Sequence, residues 1–133
     1  NSNIGKISLK KLENINNENL ESLKKKQSEL KNLEEELNNK KNIISSDEFN
    51  KELTELKAKF ESFNSEKEKM ANDFKSMQNN EISSVLKKIN SVIQEYMNDN
   101  SIELVFDKKN IFVGKVSSDI TEKILTEVNI KFK

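Results

Sequence analysis

The side chains in this sequence that could do chemistry are Lys, Asp, Glu, Ser, Thr and a single Tyr, because His, Cys and Arg are all absent from its 133 residues. Such a set could support a carboxylate acid/base site and little else. The imidazole base, the thiolate nucleophile, the soft metal ligands and the planar guanidinium fork are missing. Glu34, Glu35 and Glu36 bring three carboxylates together in sequence. Consecutive residues of a helix point in different directions, however, so the triplet reads as a solvated face and not as a metal or acid/base cluster. Lys24, Lys25 and Lys26 read the same way, and Tyr96 reads as a core or junction residue. No catalytic residue, cofactor or metal is expected. The chemistry left to the chain is the binding of other polypeptides.

Charge narrows the partner class. The formal net charge is zero, from 23 Lys against 23 Asp plus Glu. Counted by region, residues 1–44 carry about +2, residues 45–81 about −3 and residues 82–133 about +1. Nucleic-acid binding is driven by an excess of cationic side chains over phosphates, and no such excess exists here. No run of 18 apolar residues could span a bilayer, which leaves only peripheral contact with a membrane surface. No charged and apolar leader stands at the start of the chain, so a secretory signal is expected to be absent from it.

The elements that must present a binding surface follow from hydrophobic period. Charged residues make up 35% and the hydrophobic class 33%, too little for a large core and suited to long amphipathic helices. From Leu20, the residues Leu23, Leu30, Leu37 and Ile44 recur every seven positions, a helix with one narrow apolar stripe. Phe49, Leu53, Leu56, Phe60, Phe63, Met70, Phe74 and Met77 follow the 3-4 alternation of a second, stronger stripe with one lapse at Lys67. Val85, Ile89, Val92 and Tyr96 resume it after an eleven-residue step, which relaxes a left-handed supercoil. Between the stripes, Ser45 and Glu48 form a capping box and Ile44 and Phe49 a hydrophobic staple. A short connection between two such helices folds them back antiparallel, with the turn near residues 43–48.

The period then changes to two. Ile102, Leu104 and Phe106 alternate with Glu103, Val105 and Asp107, residues 107–110 supply turn chemistry, and Ile111 to Val113 is a second β-rich run. This predicts a β-hairpin over 102–113, followed by a helix over 119–130 capped by Asp119. The fold class expected is α+β, mainly α: a long antiparallel coiled-coil hairpin arm over residues 7–80, and an oligomerisation base formed by 81–133 with 1–6. A lone hairpin is marginal in water, so Ile102, Leu104, Phe106, Ile111 and Val113 are expected to meet strands of another copy. Phe60, Phe63, Met70 and Phe74 are the candidate client-binding residues, since Phe and Met suit an adaptable surface.

Three segments resemble the Skp (OmpH-like) periplasmic chaperone family. One is the C-terminal block IELVFD from Ile102 to Asp107, NIFV from Asn110 to Val113 and SDITEKIL from Ser118 to Leu125. The others are KQSEL from Lys26 to Leu30 and the Gly5–Lys6 segment near the start. The resemblance implies a homotrimer whose bases join in a small β-barrel, with the first base strand missing upstream of Asn1. It implies an ATP-independent holdase in the periplasm of a Gram-negative bacterium, binding unfolded outer-membrane proteins between its arms. The alternative is a structural or tethering coiled coil without clients.

Overall fold

The computed structural model describes residues 2–133. It contains three α-helices, α1 (Asn3–Lys40), α2 (Ser46–Asp99) and α3 (Thr121–Lys131), and two short 3-10 turns at Lys108–Asn110 and Val116–Ser118. At about 1.5 Å per residue the 54-residue α2 is roughly 80 Å long. The chain divides into two compact units. An arm unit comprises Glu13–Met77, and a base unit comprises the residues up to Leu12 together with Gln78–Lys133.

In the arm unit the two helices run antiparallel, as the cross-helix pairs Lys26–Glu66 and Lys40–Glu52 require. The reversal begins where the Ile43 and Ile44 amides both donate to the Lys40 carbonyl. Ser45 restarts the helix: its carbonyl accepts from the Phe49 amide at 2.9 Å and its Oγ from the Glu48 amide at 3.3 Å. One orphan donor of the first turn is thereby satisfied, as the capping box predicts. Leu30, Leu37 and Leu56 are buried, and Leu33, Phe49, Leu53, Phe60 and Phe63 pack against them. At the Lys67 lapse in the stripe, the neighbouring Glu66 reaches across to Lys26. Leu20 departs from the expected stripe, since it faces outward at 56% exposure while Asn19 is half-buried. The inward positions of α1 follow 12, 15, 19, 23 and 30, a helical progression that places an Asn where apolar pairing would be strongest.

The base unit is built on Ile4, Val92, Ile124 and Val128, with Val85, Ile89, Ile93, Tyr96, Ile120 and Phe132 around them. Ser2 precedes α1 and its Oγ accepts from the Gly5 amide, while Asn129 of α3 accepts from the Asn3 amide at 2.7 Å. Just past the end of α2, Ser101 lies in the left-handed region, φ 52°. The Ile102 amide donates to the Met97 carbonyl at 2.9 Å and the Ser101 amide to Asn98, the paired bonds of a Schellman cap without its usual glycine.

The segment after α2 departs from the expected hairpin and helix in two respects. No strand is present among the described residues, so 102–113 is not a β-hairpin within this chain. The turn at its centre does form, through the Asn110 amide on the Asp107 carbonyl and the Ile111 amide on Lys108. Flanking strands gain little from pairing only with each other, and no third strand is at hand in the same chain. The last helix runs from Thr121 to Lys131 instead of 119–130, and Asp119 stands before its cap residue, Ile120.

Candidate interaction surfaces

Each unit carries one surface of interest. In the arm, Ile15, Asn19, Glu66, Lys69, Met70, Asp73, Phe74 and Met77 line an open groove. It exists because the apolar stripe of α2 runs on where α1 offers Asn16, Asn17 and Asn19. Of the candidate client residues, Met70 and Phe74 lie in this groove and are half-buried. Phe60 and Phe63 lie elsewhere along the seam, packed against the Leu30, Leu37 and Leu56 cluster.

The base carries most of the exposed apolar surface. Among the described residues, every large exposed hydrophobic except Leu20, Ile43 and Met77 belongs to it. Leu104, Phe106, Ile111 and Val113, expected to be oligomerisation residues, are all exposed, whereas Ile102 is half-buried at the Schellman cap. Alternation singles out one face of a strand and therefore passes over Phe112, which is fully exposed, and Val116, exposed at 91%. The signal for both was their apolar type beside Gly114. The 3-10 turns break the period-two reading that assigned Phe112 to the opposite face.

Charge pairs shape the segment between α2 and α3. Lys108 Nζ lies 2.7 Å from Asp119 Oδ2, while Asp119 Oδ1 accepts from the Thr121 amide at 3.0 Å. Lys109 pairs with Asp107 at 2.9 Å, and Asp107 Oδ1 also accepts the Lys109 amide. The Lys108 ammonium first, and then Thr121, hold the Asp119 carboxyl far below the usual carboxylate range. Since its folded pKa is depressed, the stabilising contribution is complete above the ordinary Asp range and is lost only as pH falls through the folded value. Elsewhere in the base, Lys11 and then Ser8 lower the Glu81 carboxyl, with Lys11 Nζ 2.8 Å from Glu81 Oε2. All of these charged groups but the half-buried Glu81 are exposed, and each pair contributes little to stability. Their effect is on shape: the Lys108–Asp119 pair closes a loop that carries Ile111, Phe112, Val113 and Val116 outward.

Among the described residues, no group of three carboxylates is placed to hold a metal ion. Among the described residues no helix is long and apolar enough to cross a membrane.

The helical-hairpin arm and the small helical base with its exposed apolar segments define an almost wholly helical scaffold with no strand among the described residues. Comparison with known proteins gives the family: residues 1–128 match the outer membrane protein (OmpH-like) family, and the chain belongs to it. Its fold is similar to a crystal structure from Caulobacter crescentus described as an OmpH-like outer membrane chaperone, with a TM-score of 0.93 at 20% identity. That match covers 100% of this chain and 79% of the other. No curated protein sequence matches the chain.

Proposed function

We propose that this chain is an ATP-independent holdase that shelters unfolded outer-membrane proteins between the arms of a homotrimer and delivers them for insertion. Membership of the OmpH-like family supports the reading, and so does the chaperone description of the Caulobacter protein. The observation that carries it is the concentration of exposed apolar residues in the base, which one copy leaves uncovered. Large apolar patches on a soluble surface mark protein contacts. On this reading the base associates, the arms enclose the client, and Phe60, Phe63, Met70 and Phe74 supply adaptable contacts. The setting is the periplasm of a Gram-negative bacterium.

The test is light scattering of a denatured β-barrel membrane protein diluted into buffer without nucleotide. Suppression of aggregation at one trimer per client is the expected result. Unchanged scattering would leave a tethering coiled coil as the better reading.

A further inference from the structure

Methionine is the readily oxidised side chain of a sequence without Cys, and the chain has three, Met70, Met77 and Met97. Met70 and Met77 lie about two turns apart on one face of α2 with Phe74 between them, and all three line the open groove of the arm. Met77 is 36% exposed and Met70 half-buried. Met97 belongs to the base, in the last turn of α2, and is half-buried as well.

Across the groove stand Ile15 and Asn19 of α1. The pairs Lys26–Glu66 and Lys40–Glu52 share one antiparallel register, which sets Ile15 opposite Met77 and Asn19 opposite Asp73, between the two methionines. Nearer the turn, leucines meet leucine and phenylalanine across the seam. Here the thioethers of α2 face an amide instead.

A peroxide converts such a thioether to a sulfoxide. The sulfur lone pair bonds to one peroxide oxygen, the O–O bond breaks, and the departing hydroxide takes the proton of the transferred oxygen and leaves as water. Sulfur gives up two electrons and the peroxide gains them. The product carries a polar acceptor oxygen, which a closed leucine seam would desolvate at a cost. In the open groove that oxygen stays hydrated or accepts from the Asn19 amide or the Lys69 ammonium, both of which line it. The arm therefore tolerates the change, while the groove loses its apolar floor.

We infer that Met77, followed by Met70, is a site of peroxide oxidation whose sulfoxide turns the groove polar and switches off client capture there while the hairpin stays folded. The inference rests on the holdase reading and adds a regulation of its contact surface.

The full chain is treated with hydrogen peroxide and followed by peptide mass spectrometry, by circular dichroism and by anisotropy of a labelled, unfolded β-barrel membrane protein. Sulfoxide should accumulate at Met77 ahead of Met97, because oxidation follows exposure. The helical unfolding midpoint should be unchanged, while client affinity falls roughly tenfold, the lower end of what one buried methionine contributes. A chain carrying Met70→Leu and Met77→Leu, compared with its own untreated form, should show no change of affinity on treatment. Oxidation of Met97 ahead of Met77, or a hairpin that melts on oxidation, would overturn the inference. So would a leucine variant that loses as much affinity on treatment as the unsubstituted chain, since the effect would then lie outside the groove. If the untreated and the oxidised chain bind the client equally, the switch falls and the holdase reading stands. If the untreated chain binds none, both fall.

Discussion

At the scale of single residues, the two ends of α2 show how local chemistry sets boundaries in a chain without proline and with only two glycines. At its start, Ser45 caps the Glu48 amide. At its end, Ser101 adopts a left-handed conformation that glycine would enter without steric cost. The two positions predict opposite signs. Ser45→Ala removes a cap and should cost about 0.5–2 kcal/mol locally. Ser101→Gly relieves backbone strain and should stabilise the helix end by up to about 1 kcal/mol, less the greater entropy glycine brings to the unfolded chain. Hydrogen exchange resolves both, with faster exchange confined to residues near 40–52 in the first variant and slower exchange near 97–103 in the second. Uniform change across the chain in either variant would contradict a local cap.

At the scale of elements, the arm shows what periodicity can and cannot decide. Leu30, Leu37 and Leu56 were legible as the seam because a seven-residue repeat keeps them on one face. Leu20 shares their type but not their face, for a helix of 3.6 residues per turn carries it outward over the stretch of Asn residues. Leu37→Ala, at a site 5% exposed, should destabilise the arm by about 2–4 kcal/mol, toward the low end for a leucine truncation because a two-helix seam can relax. Leu20→Ala should change stability by less than about 0.5 kcal/mol. Denaturant unfolding followed by circular dichroism tests the pair, and equal effects would mean that the seam does not lie where Leu37 places it. In the base the period-two pattern of 102–113 read as two strands, since alternation reports what a segment could do once neighbours exist. Alone, the chain supplies the turn at Asp107–Asn110 and leaves the flanks unpaired. The same limit hid Phe112 and Val116, whose exposure depends on 3-10 turns that no hydrophobic period announces.

At the scale of the whole molecule, balanced charge bears on how the proposed client would be held. Twenty-three Lys against twenty-three acids leave no net charge, and Lys26, Lys40 and Lys131 are already engaged with Glu66, Glu52 and Glu95. Were a client captured by long-range attraction, its affinity would fall steeply as salt rises to about 0.5 M and the Debye length shrinks to a few Å. Apolar contacts behave oppositely, persisting or strengthening as salt is raised. Client affinity is therefore expected to change less than about threefold across that series, a factor that corresponds to under 1 kcal/mol. The expected source of affinity is the unmatched part of the α2 stripe, so Met70→Ser with Phe74→Ser, which lie in the open groove, should weaken binding more than Phe63→Ser with Met70→Ser weakens it per unit of lost arm stability. The comparison matters because Phe63 also packs the seam, and its loss loosens the arm itself. Fluorescence anisotropy of a labelled, unfolded outer-membrane protein measures both series. A steep loss with salt, together with indifference to the groove substitutions, would assign capture to lysine clusters such as Lys24 to Lys26 and leave the groove a passive gap between two imperfectly matched helices.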